Sequence, residues 1–425
     1  MENNDFDFNK KKKKKKKLSC SLNFYSREST KLEIVEVAFL VVVTCVVGVL
    51  VGFLLGIKST KSEKVTIKND DSNSLNKFVE IYRYILDNYY GDEEISEDKL
   101  LEAALNGMLE SIDDKNTVYM DEDASENFNI TLEGSYQGLG VEIGNEISTG
   151  NIIIIGVFKD SPADKAGLKS GDRLLKIDGE DITEQTSSYF AKYVKTADKT
   201  NFELVILRDG KEQTINVTRE KVIIQSVLSK TFEKNNKKIG YIYVSIFANN
   251  TYNQFKKELE ELEKSGIDAL IIDFRDNSGG HMSSANNMLS LFLDSSKVIF
   301  QLQDKNSTEK VYSSGKLTKE YPIVLLANNN SASSSEIVIA GLKDNLGAKL
   351  VGEKTFGKGT VQELQTLPSG AQYKFTIKKW LTPNGICINK VGIEPDYEIE
   401  LSDEYSKNPS DETDNQLQKA LEILQ

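Results

Sequence analysis

A cluster of serines in the segment NNNSASSSEIV is the first place in this sequence where residue types and spacing fit a nucleophile. An apolar strand is predicted over residues 323–327, and a helix is predicted to start near Ser335. A hydroxyl at such a turn lies beside the free N–H groups and positive dipole end of the helix, which stabilise a developing oxyanion. The simpler interpretation is structural, because SASSSE also fits a capping box.

A lysine and a glutamine further along the chain fit the partners of a nucleophilic serine. Lys358 stands between two glycines in GEKTFGKGTVQ, and Gln362 follows four residues later. An amine acts as a general base only when it is neutral, so burial must lower the lysine pKa from its usual value of about 10.4. A lysine on a glycine-rich turn that faces an apolar pocket meets this need, and Gln362 is placed to orient the amine. The alternative is an ordinary exposed turn lysine.

The segment IIDFRDNSGGHM predicts a third part of the site. A strand ends there in a charged turn and a glycine pair, where backbone N–H groups can face a substrate oxygen. Taken alone, this is only the end of a strand. Together with the serine and lysine segments, it gives three strand ends of one α/β core, which we expect to meet in a single cleft.

The residue types that are missing narrow the chemistry further. His281 is the single histidine, so a Ser-His-Asp triad would have to use it, and a multi-histidine metal site is excluded. The sequence has no phosphate-binding glycine loop and no CxxC pair. Cys387 would need an activating base, and its surroundings predict a strand. Hydrolysis therefore requires a base other than histidine, or His281 itself.

The predicted elements place these segments in an α/β core that follows a smaller β-rich domain. Short β-type runs separated by glycines extend from about Glu133 to Lys221. After them, strands and helices alternate, which is typical of a sheet covered by helices. Helical spacing of apolar residues predicts helices over residues 75–90, 95–112, 251–264, 283–293 and 335–346, and a short amphipathic helix at the chain end.

The order and spacing of these segments resemble the C-terminal processing (tail-specific) peptidases, which are Ser/Lys proteases that carry a PDZ domain. The core motifs of that family resemble D-x-R-x-N-x-G-G, S-A-S-x-S-E and G-x-x-T-x-G-K-G-x-x-Q. This chain has DFRDNSGG, SASSSE and GEKTFGKGTVQ, and its LTPNGICINKVGIEPDYEI is similar to the family segment after the lysine. The resemblance extends from about Leu75 to the end of the chain.

The resemblance implies a role for each matched residue. It makes Ser333 the nucleophile, Lys358 the general base and Gln362 the residue that supports the base. The expected oxyanion donors are the backbone N–H groups of Gly279 and Ser334.

A few positions leave alternatives open or depart from the family pattern. Ser331 and Ser335 are near alternatives for the nucleophile, although the spacing of 25 residues to the lysine fits Ser333. Ser278 stands where proline is common in the family, and Ser334 stands where alanine is common. We expect His281 to line the site without taking part in catalysis.

The β-rich domain resembles a PDZ domain. In YQGLGVEIG, the backbone N–H groups of Leu139, Gly140 and Val141 are placed to hold the C-terminal carboxylate of a peptide that adds as a strand. KDSPADKAGLKSGDRLLKIDG is similar to a second PDZ stretch, whereas GLG alone would fit a hairpin turn. Lys195-Thr196 stands where Arg-Gly is expected near the end of the PDZ helix. If that arginine couples ligand capture to the active site in the family, we expect the coupling to differ here.

The N-terminal region predicts a membrane anchor. Residues 37–57 contain no charged side chain, and a helix of this length spans roughly 30 Å, the thickness of the hydrocarbon layer. Residues 1–33 carry ten basic side chains, including the run from Lys10 to Lys17, and five acidic ones. The positive-inside rule therefore predicts a cytoplasmic N-terminus and an extracytoplasmic C-terminal part. No convincing signal-peptide cleavage site follows the apolar run.

The net charge of −12 bears on the kind of partner that the chain binds. Because the tail is basic, the remainder of the chain is more acidic than this total, which disfavours nucleic-acid binding. We expect protein substrates with free, apolar C-termini and no cofactor. The amphipathic helices at both ends of the extracytoplasmic part favour a homodimer.

We therefore predict a multidomain α/β protein that is a membrane-anchored serine endopeptidase. The main alternative is an inactive PDZ scaffold that binds protein C-termini, and an esterase or amidase with the same Ser/Lys chemistry is a third possibility. The predicted parts are a cytoplasmic tail (1–33), a transmembrane helix (34–57), a linker with a helical segment (58–125), a PDZ domain (126–222), a peptidase core (223–405) and a C-terminal helix (406–425).

Overall fold

The computed structural model of this chain describes residues 72–91 and 95–425. The predicted cytoplasmic tail, the predicted transmembrane helix and the first part of the linker lie outside these residues. None of the helices that are described is both long and apolar enough to cross a membrane. The chain divides into two compact units, Met1–Glu94 and Ile95–Gln425. Helix α1 (Ser72–Asn88) belongs to the first unit and leaves apolar side chains such as Leu75 and Phe78 exposed.

The second unit begins with elements that connect the β-rich domain to the core. These are helix α2 (Glu97–Glu110), strand β1 (Val118–Met120) and helix α3 (Glu122–Glu133). Asp121 caps α3 by accepting a hydrogen bond from the N–H of Ala124 at 2.7 Å, and Gly134 ends it in the left-handed conformation. The predicted domain boundary between residues 125 and 126 falls inside this helix.

The β-rich domain is a twisted antiparallel sheet with two short helices. Its sheet order is β3-β4-β5-β7-β8, with β6 beside β5, and a separate ribbon of β2 and β9 joins the two ends of the domain. Buried Ile152, Leu174 and Phe202 form its core together with Phe190 of the second helix. The elements are β2 (Ser135–Gly138), β3 (Val141–Asn145), β4 (Ile152–Val157), α4 (Pro162–Ala166), β5 (Arg173–Ile177), β6 (Glu180–Asp181), α5 (Ser187–Thr196), β7 (Asn201–Arg208), β8 (Lys211–Thr218) and β9 (Glu220–Ile223).

The α/β core contains two sheets. The main sheet has the order β10-β11-β12-β15-β16-β19 and is parallel except for the first pair. Its elements, and those of the second sheet, are β10 (Val227–Lys234), β11 (Lys237–Val244), α6 (Thr251–Lys264), β12 (Ala269–Asp273), α7 (Met282–Leu289), β13 (Val298–Gln303), β14 (Thr308–Tyr312), β15 (Ile323–Ala327), α8 (Ser334–Leu346), β16 (Lys349–Gly352), β17 (Thr360–Thr366), β18 (Gln372–Leu381), β19 (Tyr397–Glu398), α9 (Asp403–Lys407) and α10 (Asn415–Ile423).

The second sheet has the order β1-β18-β13-β14, and β17 also pairs with β18. Strand β1 therefore joins this sheet from the segment that precedes the β-rich domain. Val118 pairs with Lys374 and Met120 pairs with Gln372 in antiparallel register. The sequence of this segment predicts no strand.

The two central strands of the main sheet, β12 and β15, are buried along their whole length. Alternate residues face opposite sides, as the pleat requires. Leu270 packs with the apolar faces of α6, α7 and α8, whereas Ile271 packs with α10 on the opposite side. Because both faces are covered, the loops that follow the carboxyl ends of these strands are the places where polar groups can meet substrate.

The C-terminal helix differs from its prediction in extent and in role. The structure has helices α9 and α10 in place of one helix over residues 406–425. The apolar side chains Leu417, Leu421 and Leu424 are buried against the main sheet. They are therefore not free to pair with a second subunit. Cys387 also differs from its prediction, because it is exposed and lies outside the strands.

A buried ion cluster fixes the C-terminal segment to the strand that leads into the candidate site. The Arg275 guanidinium contacts Asp273 at 2.5 Å and Asp414 at 2.8 Å, and it donates to Gln416 Oε1 at 3.0 Å. Tyr241 adds a hydrogen bond to Asp273 at 2.8 Å. Arg275 is 8% exposed and both aspartates are nearly fully buried. Each carboxylate therefore depends on this guanidinium for charge compensation.

We predict that Arg275→Met destabilises the protein by about 3–5 kcal/mol, because it leaves two carboxylates buried without a counter-ion. Lys230→Met is the matched control, since Lys230 also pairs with the C-terminal segment through Asp411, but both side chains are substantially exposed. It should cost less than about 1 kcal/mol. Differential scanning calorimetry measures both effects, and equal melting temperatures for the two variants would contradict the prediction.

Candidate active site

The serine segment connects β15 to α8 through a sharp turn. Ser333 stands immediately before the helix with φ +57° and ψ −114°, a conformation that side-chain-bearing residues rarely adopt. Ser333 is partly exposed, whereas every other residue from Ser331 to Leu342 is buried. The turn therefore presents Ser333 to the surface at the N-terminus of a buried helix.

The neighbouring serines use their hydroxyls to hold the turn in place. Ser331 Oγ donates to the carbonyl of Phe274 at 2.8 Å, and Ser335 Oγ donates to the carbonyl of Asn277 at 2.9 Å. Both residues are 0% exposed. A hydroxyl that is buried and already donates to a backbone carbonyl cannot reach a substrate. Of the three serines that the sequence left open, the geometry favours Ser333 as the nucleophile.

Glu336 connects the serine turn to the lysine loop, a role that its place in the sequence does not reveal. The backbone N–H groups of Ser333 and Lys358 donate to the same oxygen, Oε2, at 2.8 and 2.9 Å. Oε1 accepts from the hydroxyl of Thr355 at 2.6 Å and from the N–H of Gly357 at 2.7 Å. Burial raises the pKa of Glu336, and these four hydrogen bonds oppose the rise. The capping-box spacing was the sequence signal for the contact with Ser333.

Lys358 is held on a loop whose backbone lies against another segment. A Cβ at Gly357 would be 2.7 Å from the nitrogen of Gly392, and one at Gly359 would be 2.7 Å from the nitrogen of Asn389, so both positions require glycine. The carbonyl of Lys358 accepts a hydrogen bond from the indole N–H of Trp380 at 2.9 Å. The loop therefore has little freedom to move the lysine.

The surroundings of Lys358 favour its neutral form. Burial lowers the pKa of Lys358, and the positive charge of Lys374 lowers it further, whereas Asp114 and Glu336 oppose the shift. Within the described part of the chain, the Lys358 ammonium makes no hydrogen bond or ion pair. A lysine with a lowered pKa and a free Nζ has the properties of a general base.

Gln362 lies on β17 opposite Thr376 of β18. Its Nε2 donates to the hydroxyl of Thr360 at 2.8 Å and to that of Thr376 at 3.3 Å. Among the residues that the structure describes, none donates to its Oε1. The amide oxygen is therefore available to accept a hydrogen bond from an amine.

The two predicted oxyanion donors differ in whether their N–H groups are already hydrogen-bonded. The N–H of Ser334, the first residue of α8, has no acceptor among the described residues, as expected for the first turn of a helix. The N–H of Gly279 donates to Asn277 Oδ1 at 2.9 Å. Gly279 is nevertheless next to Ser333, since a Cβ there would be 2.7 Å from the Cβ of Ser333. In this structure one donor is free and the other is occupied.

The segment predicted to bind a peptide carboxylate forms an open backbone loop. The N–H groups of Leu139 and Gly140 donate to no acceptor in the described part of the chain, although both residues are buried. Gly140 has φ +81°, and a Cβ there would be 2.3 Å from that of Ser161. Val141 begins β3, the edge strand that faces α5. Buried N–H groups are rarely unpaired, so this loop is suited to an anionic ligand.

Two further residues singled out in the sequence have defined positions. Lys195, near the end of α5, forms an ion pair with Glu126 of α3. This contact joins the β-rich domain to the helix that precedes it. His281 precedes α7, and its buried Nε2 has no hydrogen-bond partner in the residues described here.

Comparison with known proteins identifies three regions of the chain. Residues 238–399 match peptidase family S41, residues 137–218 match the PDZ domain, and residues 55–124 match the N-terminal domain of the activating protease CtpB.

Several curated proteins are similar over most of the chain. The carboxy-terminal processing protease CtpB of Bacillus subtilis is 35% identical over 344 residues, which cover 80% of this chain and 71% of that protein. CtpA of the same organism is 33% identical over 374 residues, which cover 87% and 78%. A probable CtpA-like serine protease of Staphylococcus aureus is 33% identical, with coverage of 80% and 68%. This chain, a multidomain α/β protein with a PDZ domain and an S41 core, therefore belongs to the carboxy-terminal processing proteases and is a serine-type peptidase.

Proposed function

We propose that this peptidase cleaves proteins near their C-termini with Ser333 as nucleophile and Lys358 as general base. The observation that carries the proposal is the shared contact with Glu336, whose Oε2 accepts the backbone N–H groups of both residues. The backbone nitrogens of Ser333 and Lys358 can be no farther apart than the sum of these two distances, 2.8 and 2.9 Å. Two segments that are separate in sequence are thereby held together at one edge of the site.

Each step of the proposed reaction uses a group with suitable surroundings. Neutral Lys358 takes the proton of the Ser333 hydroxyl as its oxygen attacks the scissile carbonyl. The free N–H of Ser334 stabilises the oxyanion, and the N–H of Gly279 becomes a second donor once Asn277 releases it. The protonated lysine then gives its proton to the leaving amine. Water hydrolyses the acyl-enzyme by the same route in reverse.

We predict that Ser333→Ala and Lys358→Ala each reduce turnover by about 10⁴-fold or more, because residues that act as one catalytic unit fail together. The measurement is cleavage, by the purified full-length chain, of an unfolded protein with an apolar C-terminal tail. Lys354→Ala is the matched lysine control, since Lys354 lies on the same loop but is exposed and paired with Glu394. It should retain activity.

Other outcomes of this experiment would redirect the proposal. Full cleavage by Ser333→Ala would place the nucleophile elsewhere and refute the Ser/Lys mechanism. Ser335→Ala tests Ser335 as the alternative nucleophile, and this variant is expected to retain cleavage. Tail binding without cleavage by the wild type would favour the inactive scaffold. Ester turnover without peptide turnover would favour an esterase.

We further propose that the PDZ domain captures the free C-terminus of the substrate. The carboxylate would accept hydrogen bonds from the unpaired N–H groups of Leu139 and Gly140 and from that of Val141, while the peptide pairs with edge strand β3. The ion pair of Lys195 with Glu126 connects the peptide-binding helix α5 to α3. Ligand binding beside α5 can therefore bias the contact between the PDZ domain and the segment that precedes it.

We predict that an apolar tail peptide that is not itself cleaved increases the turnover of a second substrate that lacks such a tail. The matched control is the same peptide with a C-terminal amide, which removes the carboxylate and should have no effect. Initial rates over a peptide titration measure the difference. Equal effects of the acid and the amide would refute carboxylate capture by the PDZ domain.

We also propose that the chain is anchored in the cell membrane with its catalytic part outside the cytoplasm. The support comes from the sequence, because residues 37–57 carry no charge and follow the run from Lys10 to Lys17. A homodimer is part of this proposal. Helix α1, described by itself, exposes Leu75, Phe78 and Ile81 on an amphipathic helix that a second copy could cover.

We expect the full-length chain to sediment with membranes and to resist extraction by high salt, because an apolar helix holds it there. Added protease should degrade the catalytic part in cells whose outer layers are permeable. Sedimentation in detergent should give the mass of two chains. Recovery in the soluble fraction would refute the anchor, and the mass of one chain would refute the dimer.

A further inference from the structure

A carboxylate reaches the candidate site from a segment outside the motifs that define the core. Asp114 lies in the loop between α2 and β1 and is partly buried. Pairing of β1 with β18 sets Val118 opposite Lys374, and β18 in turn pairs with β17, the strand of Gln362. The loop that precedes β1 is therefore held beside the strand pair that carries the proposed support of the base.

The Asp114 carboxylate accepts hydrogen bonds at both of its oxygens. Oδ2 accepts from the hydroxyls of Thr376 at 2.5 Å and Thr117 at 2.9 Å, and Oδ1 accepts from the backbone N–H of Asn116 at 3.0 Å. Burial alone would raise the pKa of Asp114, but these hydrogen bonds outweigh it and hold the pKa below its usual value. The carboxylate is therefore ionised at neutral pH, and it can only accept hydrogen bonds.

The direction of the next hydrogen bond follows from counting protons. The Thr376 hydroxyl has a single proton, and it points to Asp114, so Thr376 Oγ1 can only accept from Gln362. Thr360 Oγ1 also accepts from Gln362 Nε2, at 2.8 Å, and it accepts from Asn116 Nδ2 at 3.4 Å. Both amide hydrogens of Gln362 are directed to threonine oxygens, and its Oε1 is left on the opposite side of the amide.

We propose that Asp114 is a positioning residue for catalysis, because through Thr376 it fixes the orientation of the Gln362 amide and keeps Oε1 available to Lys358. The proposal rests on the function proposed above, in which Gln362 supports the base. An amide oxygen can accept a hydrogen bond from the lysine amine and so direct the lone pair of that amine toward Ser333. A reversed amide would present its NH₂ group, which offers a lysine only donors.

Asp114 also contributes to the balance of charge around Lys358. The charged groups that act on this lysine are Lys374 of β18, Asp114 of the loop before β1 and Glu336 of α8. Lys374 itself is partly buried, and its ammonium lies 5.1 Å from the ring centre of Phe128 of α3. Positive Lys374 favours neutral Lys358, and negative Asp114 favours the protonated form. Removal of the Asp114 charge should therefore lower the pKa of Lys358.

The test compares Asp114→Asn with Asp113→Asn in the full-length chain. Asparagine at position 114 can turn its NH₂ group toward Thr376, which reverses the hydrogen bond and with it the Gln362 amide. We expect kcat to fall about 10-fold, a part of the general-base contribution, while KM stays unchanged. The acid limb of kcat/KM should move to lower pH. Asp113 is exposed and has φ +53°, a conformation that asparagine tolerates, so its variant should behave as the wild type.

Two variants of Thr376 separate the effect of the hydrogen bonds from Asp114 through Thr376 to Gln362 from the effect of the Asp114 charge. Thr376→Val removes the hydroxyl but keeps the Asp114 charge, so kcat should fall without a shift of the pH profile. Thr376→Ser restores a hydroxyl and should recover most of the lost turnover. A purely structural role for Asp114 would lower the melting temperature and leave the pH profile of the folded enzyme in place, and that result would overturn the proposal.

A failure of the proposed role of Asp114 can be distinguished from a failure of the proposed Ser/Lys mechanism. If the Asp114→Asn variant keeps the wild-type kcat and pH profile while the Ser333→Ala variant is inactive, the role of Asp114 is refuted and the Ser/Lys mechanism stands. Activity in Ser333→Ala would refute the Ser/Lys mechanism.

Competitive acetylation of Lys358 over a pH series, read by mass spectrometry, measures its pKa without turnover. A lower pKa is expected in Asp114→Asn but not in Asp113→Asn, and an unshifted curve would overturn the proposal.

Discussion

The Glu336 carboxylate is the interaction on which the geometry of this site depends. A charged carboxylate in the protein interior is costly unless donors fill its lone pairs, and Glu336 receives four. The donors come from the serine turn and from the lysine loop, so movement of either segment would leave a buried charge unsatisfied. Ser333 is held in a backbone conformation that costs of order 1–3 kcal/mol, and this network opposes its relaxation.

The main sheet provides the frame for this contact. Strands β12, β15 and β16 are parallel, so the glycine turn, the serine turn and the lysine loop all leave from the same edge. Helices cover one face of the sheet, and α10 covers the other. The ion cluster of Arg275 attaches the segment of α10 at the point where β12 ends. The active-site loops thus project from strands that are fixed on both sides.

Local sequence patterns predicted that the serine and lysine segments meet at one edge of the sheet, and the structure brings them together there. Ser333 follows the fully buried strand β15, Lys358 follows the mostly buried strand β16, and parallel strands bring such ends together. Burial and hydrogen bonding, which no local pattern reveals, then separated Ser333 from Ser331 and Ser335. The predicted strand around Cys387 was wrong, because that segment pairs with no strand among the residues that the structure describes. The predicted C-terminal helix was too long, since α10 begins only at Asn415, capped by Asp414.

The individual side-chain contacts between distant segments were not predictable, although the meeting of the strand ends was. Asp114 and Thr376 are separated by 262 positions, and Asp114 follows a segment for which the sequence predicts only a helix, over residues 95–112. Its role follows from the pairing of β1 with β18. The hydrogen bond from the Gly279 N–H to Asn277 was also not predictable, because the Asn277 side chain could equally have adopted another orientation.

The contact of Trp380 with the lysine loop has a spectroscopic consequence. Trp380 is the single tryptophan of the chain, it is 1% exposed, and its indole N–H donates to the carbonyl of Lys358. Indole emission depends on hydrogen bonding and on nearby dipoles. The tryptophan fluorescence of this protein therefore originates beside its proposed base, so the native chain carries its own optical reporter of rearrangements in the lysine loop.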